Sequence, residues 1–471
     1  MDVIIVGFGL AGASCAACLS RLGLRVQCID RDEVVRETFK GELLQPGGVR
    51  ALERLGLSHC LDAATVDAVP VEGYIVLEAS SEAQPSPPAP VRLCYGPRDP
   101  ATLAEQLWGV RTQPGDCPAR APRGRSFHNK RFVEALREEA LRLGARCAWG
   151  ECACIVEECG RAVGVAWVPR GGNGAAEVLR APLVVVCDGM YSTLRGALRQ
   201  RGAAAPETLS YLAGLLLPHE AGRPPLPCAQ HGHVVLVTPS PVLFYQISAR
   251  ETRCLVDLPP EAAASQHALQ TYLERAVAPQ LPQGLLRAGF LAALHALQQQ
   301  GQEVRIMPSK ALARDAGALT VQGVVLLGDA ASMRHPLTGG GMTVALGDVE
   351  RLWRACLPVV AAAAAASGGS SSNSATSARP ALLSAAAASF QGMRKNFTLS
   401  VLANALHQVF TTPGGGGAPE RPCARPAFST LPGAAPAQRG PLGCWLASAP
   451  PPWCCCCTSL QWPAALACRG W

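Results

Sequence analysis

The first thirty residues contain the pattern that most restricts the fold of this chain. A predicted strand over residues 2–6 leads into the turn Gly7-Phe8-Gly9-Leu10-Ala11-Gly12, a helix of small residues, and a second predicted strand that ends at Asp30. In such a unit, Gly7 permits a tight turn, Gly9 lets the backbone approach a pyrophosphate, and Gly12 lets helix and strand pack closely. The pattern predicts an α/β nucleotide-binding domain, with Asp30 near a ribose hydroxyl. A glycine-rich turn without a ligand is the alternative.

A second glycine-rich segment, far along the chain, indicates which dinucleotide is bound, NAD or FAD. Residues 321–327, rich in valine and leucine, predict a buried strand that ends at Gly328-Asp329, and doubly wound sheets bind ligands at the carboxyl ends of their strands. A carboxylate there can accept hydrogen bonds from the ribityl chain of a flavin. Residues 339–341, all glycine, then open a predicted helix whose free N–H groups suit a ring that becomes anionic on reduction. The two segments indicate FAD, and a flexible loop before an ordinary helix is the alternative for the second.

Several stretches resemble the squalene epoxidase (squalene monooxygenase) family, a member of the FAD-dependent group typified by aromatic hydroxylases. They include GELLQPGG at 41–48, GRSFHNKRF at 124–132, CDG at 187–189 and, most specific of all, GDAASMRHPLTGGGMTVAL at 328–346. With interruptions, the resemblance covers residues 2–411. It implies an α/β fold: a Rossmann-like FAD-binding domain of the aromatic hydroxylase (GR2) type, an inserted mixed-sheet substrate domain, and C-terminal helices.

The resemblance also implies site residues. Besides the three glycines of the turn, the FAD contacts of the family correspond by position to Leu10, Ala11, Asp30, Arg31, Arg137, Ala153, Asp329 and Met342. The family usually has glutamate at the position of Asp30, and aspartate retains the ribose acceptor. Tyr74 matches a tyrosine of the family's substrate pocket near the flavin. A strand aromatic whose hydroxyl bonds a neighbour is the alternative for Tyr74.

Few catalytic side chains are expected, because a flavin carries the oxygen chemistry itself. No Ser-His-Asp arrangement, P-loop or zinc spacing is evident in the sequence, and no metal is expected. Oxygen transfer to an isolated alkene requires no base, whereas a phenol substrate would require one. His335 is a candidate base, but a histidine directly before a proline in a ligand loop is more often a structural hydrogen-bonding residue.

The function implied by the resemblance is epoxidation of squalene to (S)-2,3-epoxysqualene with O₂ and reduced FAD, in sterol biosynthesis. Electrons would come from NADPH through NADPH-cytochrome P450 reductase. The alternatives are a flavin-dependent hydroxylase or reductase of another lipid, and a non-catalytic FAD-binding protein from a truncated gene model. A net charge of +7 forms no basic run, which argues against nucleic acid and permits a weak attraction to an anionic membrane surface.

Composition divides the chain further. The proposed FAD-binding domain comprises residues 1–80, 124–200 and 307–360, and the substrate domain residues 201–306. The remaining segments are a Pro-rich surface excursion at 81–123, a low-complexity Ala/Ser insertion expected to be a loop at 361–389, a helix at 390–412, and an atypical, disordered tail at 413–471.

Localisation rests on the resemblance, which implies the cytosolic face of the endoplasmic reticulum membrane. Met1 directly precedes the first predicted strand, so no leader is expected. The tail contains no apolar run near the eighteen or so residues that span a bilayer, and a translated intron or a frame shift is one hypothesis for it. The 21 cysteines are interpreted as small core residues in a reducing compartment.

Overall fold

The computed structural model describes residues 1–80, 89–95, 123–199, 205–312, 319–367 and 372–392. Two large β-sheets and one small sheet form the framework of this part of the chain. The helices are α1 (Leu10–Arg21), α2 (Pro46–Arg54), α3 (His59–Asp62), α4 (Asn129–Arg142), α5 (Leu194–Leu198), α6 (Gln266–Tyr272), α7 (Leu285–Gln299), α8 (Gly341–Ser367) and α9 (Ser372–Gly392).

The first large sheet has the predicted Rossmann-like architecture. Its strands, in spatial order, are β10 (Glu177–Arg180), β9 (Arg161–Pro169), β8 (Arg146–Glu158), β2 (Val26–Asp30), β1 (Val3–Val6), β11 (Leu183–Val186) and β17 (Val324–Leu326). The five adjacent strands β8, β2, β1, β11 and β17 are parallel to one another. At the other end of the sheet, β9 pairs antiparallel with β8, and β10 pairs antiparallel with β9. Strands β1, β11 and β17 are completely buried, which explains their continuous Val, Ile and Leu sequences. The predicted fold class is therefore confirmed.

The second large sheet is mixed, as expected for the substrate domain. Its order is β16 (Arg305–Ala311), β12 (Glu207–Pro218), β15 (Glu251–Leu258), β14 (Val242–Ser248), β13 (His231–Leu236), β5 (Gly73–Glu78) and β6 (Val91–Cys94). Only the β13–β5 pair is parallel among the described pairs of this sheet. Apolar residues of α7 cover one face, and a cluster that includes Phe39 and Tyr74 covers the other.

This sheet extends beyond the domain boundaries predicted at 201–306. Strand β5 comes from the segment assigned to the FAD-binding domain, and β6 lies within the predicted excursion at 81–123. The difference arises because strand partners distant in sequence are chosen by cross-strand packing, which a local pattern does not report. Residues 81–88 and 96–122 of that excursion lie outside the described part.

The small sheet joins two of the sequence stretches that carry the family resemblance. Strand β3 (Leu43–Leu44) and strand β4 (Val69–Val71) both pair antiparallel with β7 (Gly124–Ser126), which lies between them. This pairing holds the GELLQPGG segment between the two large sheets.

The loop predicted at 361–389 is instead largely helical. Helix α8 continues to Ser367, and α9 occupies Ser372–Gly392, where Leu383 and Phe390 are buried in the core. Alanine has the highest helix propensity of all residues, so an alanine-rich segment packed on a core becomes helix rather than loop. The predictions for residues 393–412 and for the tail lie outside the described residues. Within the described ranges, no helix is both long and apolar enough to cross a membrane.

Candidate active site

A cavity of about 370 Å³ lies between the carboxyl edge of the first large sheet and the buried face of the second. Segments that directly follow β1, β11 and β17 contribute one end of it. From the sequence-predicted cofactor residues, this end includes Gly9, Leu10, Ala11, Asp329 and Met342. The other end is mainly apolar and is lined by Tyr74, Leu243, Phe244, Tyr245, Leu255 and Met307.

Two glycines of the N-terminal turn are required by close packing. Gly7 has φ = 94°, and a Cβ on it would lie 2.5 Å from the carbonyl oxygen of Cys187. A Cβ on Gly12 would lie 2.0 Å from the carbonyl oxygen of Gly7. Neither contact is sterically possible for a larger residue, so these glycines fix the position of α1 against β1.

The amino end of α1 is open toward the cavity. Gly9 is its N-cap residue, and no described atom lies within 4 Å of the position that a Cβ on Gly9 would occupy. Among the described residues, no side chain caps this helix, and its first turn has no acidic residue. The first backbone N–H groups of α1 therefore remain available to an anionic ligand.

Asp30, at the end of β2, and Arg137, on α4, stabilise the glycine turn after β1 by hydrogen bonds. The Phe8 amide donates a hydrogen bond to Asp30 Oδ2 at 2.5 Å, and the Asp32 amide donates to Asp30 Oδ1 at 2.8 Å. Arg137 Nε donates to the Phe8 carbonyl oxygen at 2.7 Å, and its Nη1 donates to the Glu33 carbonyl oxygen at 2.9 Å. Asp30 Oδ2 also lies 3.6 Å from Arg137 Nη2, whereas Oδ1 accepts only the Asp32 amide among the described residues and can accept a further hydrogen bond, such as one from a ribose hydroxyl.

Asp329 lies in the short 3₁₀ turn Gly328–Ala330, directly after β17, and its side chain faces the cavity. The residue is exposed to the cavity, and desolvation by the surrounding protein raises the pKa of Asp329. The positive charges of Arg334, Lys40 and Arg195 act in the opposite direction. Arg195 Nη1 also fixes the turn by donating to the Asp329 carbonyl oxygen at 2.9 Å.

The start of helix α8 also lines the cavity. Gly339 adopts a left-handed conformation with φ = 59°, which turns the chain into the helix at Gly341. No described atom lies within 4 Å of a Cβ built on Gly341, and Met342 is buried at the cavity wall. The N-terminal N–H groups of a second helix are thus directed at the same space.

Tyr74 on β5 lies where the two ends of the cavity meet. Its hydroxyl accepts a hydrogen bond from Gln45 Nε2 at 2.8 Å, and the same amide donates to the Thr338 carbonyl oxygen at 2.8 Å. The ring of Tyr95 packs edge-on against Tyr74 at 5.9 Å. Burial raises the pKa of Tyr74, so its hydroxyl stays protonated at neutral pH. Gln45 was not predicted as a site residue, although it belongs to the GELLQPGG stretch.

A buried ion pair forms the adjoining wall. Arg253 Nε and Nη2 donate to Glu42 Oε2 and Oε1 at 2.8 and 2.9 Å, and the Tyr245 hydroxyl donates to Oε2 at 3.4 Å. Burial raises the pKa of Glu42, and the bidentate bond from Arg253 opposes that effect. This pair joins the GELLQPGG segment to the second large sheet.

Comparison with known proteins identifies the family. The squalene epoxidase family profile matches residues 180–414. Squalene epoxidase 3 of Arabidopsis thaliana is 36% identical over 417 residues, which cover 87% of this chain and 68% of that protein. The chain belongs to the squalene epoxidase family.

Two further comparisons define the extent of this relationship. Squalene epoxidase 2, mitochondrial, of Arabidopsis thaliana is 37% identical over 416 residues, which cover 87% of this chain but only 60% of that relative. The solved structure of Klebsiella pneumoniae HpxO complexed with FAD and uric acid is 16% identical, with a TM-score of 0.57 and coverage of 87% of this chain and 89% of that one. The structural likeness is one of fold.

Seven residues singled out from the sequence do not line the cavity: Gly7, Gly12, Asp30, Arg31, Arg137, Ala153 and His335. Arg31 pairs with Asp32 at 3.3 Å on the surface, and Ala153 is exposed at a bulge of β8. His335 is buried, accepts a hydrogen bond from the Leu337 amide at 3.3 Å, and lies 3.2 Å from Ser210 Oγ. These contacts favour a structural role for His335 over that of a base.

Proposed function

We propose that this chain binds FAD in the cavity and acts as a flavin-dependent squalene monooxygenase. The observation that carries the proposal is the convergence of two open helix N-termini and the Asp329 carboxylate on one cavity. A dinucleotide with a diphosphate, a polyol chain and a ring that gains negative charge offers a partner to each of these groups. Family membership is consistent with this assignment.

In this proposal, the residues of the chain bind and orient the cofactor. The backbone N–H groups of Leu10 and Ala11 would hold the diphosphate, Asp30 a ribose hydroxyl, and Asp329 the ribityl chain. Met342 and the start of α8 would contact the ring system. Arg137 would act indirectly, by holding the carbonyl oxygen of Phe8. When bound, FAD supplies the reduction of O₂ and the transfer of one oxygen atom.

The apolar end of the cavity favours a hydrocarbon substrate. Leu243, Phe244, Leu255 and Met307 present no charge to this space, and they exclude water from it. An alkene such as squalene requires no proton abstraction, which agrees with the structural role of His335. Tyr74, held by Gln45, would position the substrate at the boundary between cofactor and hydrocarbon.

We also propose an electron source and a location for the protein. The family relationship supports electron delivery from NADPH through a separate reductase such as NADPH-cytochrome P450 reductase. It likewise supports a location at the endoplasmic reticulum membrane, where a squalene epoxidase finds its water-insoluble substrate.

The experiment is to incubate the full chain with FAD, squalene, O₂, NADPH and P450 reductase, and to search for 2,3-epoxysqualene by mass spectrometry. Product that depends on the chain and on O₂ supports the proposal. If protein that retains FAD leaves squalene unchanged but oxidises another lipid, the substrate assignment is wrong.

A further inference from the structure

Lys40 places an ammonium group at the cavity wall, and the assignments above give it no role. It directly precedes Gly41, lines the cavity, and donates from Nζ to the carbonyl oxygen of Pro308. Its backbone amide donates to Thr38 Oγ1 at 3.2 Å, which fixes the start of the side chain. Within the described residues, no carboxylate lies within 4 Å of Nζ, so this charge lacks a direct counter-ion.

The charged groups around Lys40 come from several elements. Asp329 follows β17 and Asp257 lies on β15, and both raise the pKa of Lys40. Arg334 lines the same cavity, and its Nε is buried without a hydrogen-bond partner among the described residues. Lys310 on β16 also lines the cavity, and its ammonium packs over the ring of Tyr191 at 4.9 Å. The cationic groups are thus incompletely neutralised.

Squalene offers nothing to such a cation, because a hydrocarbon has no acceptor and no charge. The flavin of the proposed function does, because its ring gains negative charge when it is reduced. A cation in a water-poor cavity stabilises a nearby anion far more than it would in water. Charge placed close to a flavin ring is one of the means by which proteins tune its electronic properties.

We propose that Lys40 is a cofactor-facing cation that stabilises the reduced form of the bound FAD and so sets its reduction potential. This inference rests on the proposed binding of FAD in the cavity. Its readout is the midpoint potential, which is measured without substrate, reductase or turnover.

The test is spectroelectrochemical titration of the FAD-loaded full chain, comparing the unchanged protein with Lys40→Met and Lys40→Arg. Lys130→Met serves as the matched control, because Lys130 lies on α4 and is not among the cavity-lining residues. At pH 7, Lys40→Met should disfavour the reduced form tenfold or more, which for a two-electron couple lowers the potential by about 30 mV. Lys130→Met and Lys40→Arg should leave it unchanged. Equal potentials for Lys40→Met and the unchanged protein would overturn the inference.

The pH dependence gives a second, independent test. Burial lowers the pKa of Lys40 to about 8, so the unchanged protein loses this charge as the pH rises through that value, whereas arginine keeps it. The anionic reduced flavin raises this pKa, so Lys40→Arg should have a higher potential than the unchanged protein once the pH is high enough for Lys40 to lose its charge. Curves that coincide up to pH 10.5, the ordinary pKa of lysine, would contradict the inference. This comparison decides the matter even if Lys40→Met fails to retain FAD. If the unchanged protein binds no FAD, the proposed function fails as well, whereas bound FAD with unaltered potentials rejects only the role of Lys40.

Discussion

Gly9 and Gly12 both lie at the start of α1, but their surroundings differ. Substitutions at these two positions should therefore distinguish an effect on folding from an effect on cofactor binding. A Cβ at Gly12 would overlap the Gly7 carbonyl oxygen at 2.0 Å, whereas Gly9 faces open space. We expect Gly12→Ala to destabilise the cofactor-free protein by about 1–3 kcal/mol through overpacking. Gly9→Ala should change that stability by less than about 0.5 kcal/mol but weaken FAD binding, because the added methyl group occupies the space of the ligand.

Denaturant unfolding of the cofactor-free variants and fluorescence titration with FAD would measure the two effects. Equal destabilisation by both substitutions would show that the cavity side of the turn is not open as described.

Asp329 provides the prediction most specific to the cofactor. Its carboxylate faces the cavity, and the positive charges of Arg334, Lys40 and Arg195 act on it without a direct ion pair among the described residues, so removing it leaves an excess of positive charge and no acceptor for the ribityl hydroxyls. Asp329→Ala should purify with little or no FAD, measured as flavin absorbance per protein. Asp62→Ala, at an aspartate whose side chain is 69% exposed on α3, is the control and should retain FAD. A fully yellow Asp329→Ala protein would show that this carboxylate does not hold the ribityl chain.

At the residue scale, the sequence predicted those positions that belong to local motifs. Gly7, Asp30 and Asp329 each lie at a strand end or turn, and Gly12 lies at the start of α1, where the geometry follows from neighbouring residues. The Glu42–Arg253 pair was not predicted, because its members are 211 residues apart and meet only after two sheets have assembled. Gln45 and Lys40 were missed for the same reason.

At the scale of elements, the Glu42–Arg253 pair connects the segment before β3 to strand β15. Both side chains are almost fully buried, so removing one partner leaves an uncompensated charge. We expect Arg253→Met to cost about 3–5 kcal/mol of unfolding free energy, and the double variant with Glu42→Gln to cost less than the sum of the two single changes. Chemical denaturation of all four proteins gives the coupling free energy. Strictly additive costs would contradict a direct, buried interaction.

His233 on β13 provides a pH prediction for the second large sheet. Its Nδ1 lies 3.0 Å from the His231 carbonyl oxygen, and its Nε2 accepts from the Cys228 amide at 3.3 Å, so the neutral ring fits this site. Burial lowers the pKa of His233 from 6.5 to about 4. Between these values the unfolded chain binds the additional proton, so stability contributed by His233 is fully present above pH 6.5 and is lost as the pH falls toward 4.

The measurement is the melting temperature between pH 7.5 and 4.5. His233→Gln should be less stable than the unchanged protein at pH 7.5, and this difference should shrink as the pH is lowered. His267→Gln, at an exposed position on α6, should follow the unchanged protein. A difference that is constant with pH would show that His233 does not titrate between the two states.

The sequence predicts an element well when its residues form one clear apolar or periodic pattern. It predicts an element poorly when one segment contains residues typical of both helix and loop. Strand β2 ends at Asp30 as predicted, since a mainly apolar run bounded by turn residues admits few alternatives. The segment at 361–389 contains glycine and serine between alanine runs, a composition that predicts a loop. The burial of Leu383 and Phe390 favours helix instead, and that contribution depends on the core against which they pack.

At the scale of the whole molecule, the cavity exists because two sheets from interleaved parts of the chain face one another. The open Rossmann-like edge supplies charged and backbone groups, and the mixed sheet supplies apolar ones. Sequence motifs predicted the FAD-binding domain and the mixed-sheet domain. That β5 and β6 belong to the second large sheet depends on strand pairing between residues distant in sequence, which these motifs do not report. The position of Tyr74 between the two halves follows from that crossing.

The proposed need for a separate reductase to reduce the bound FAD concerns the molecule as a whole. If the chain has no site from which NADPH can reduce FAD, NADPH alone should barely bleach the flavin under anaerobic conditions. Addition of P450 reductase should then restore rapid bleaching, followed by stopped-flow absorbance. Rapid reduction by NADPH alone would contradict the proposed electron route.

The most direct measurement of the central claim is a single turnover without any reductase. The full chain, loaded with FAD, is photoreduced anaerobically in the presence of squalene and then exposed to ¹⁸O₂, and the extracted lipid is analysed by mass spectrometry. The account predicts 2,3-epoxysqualene that carries one ¹⁸O atom and is absent from the Asp329→Ala sample. Complete reoxidation of bound FAD with no labelled epoxide would contradict the claim that this cavity brings flavin and squalene together.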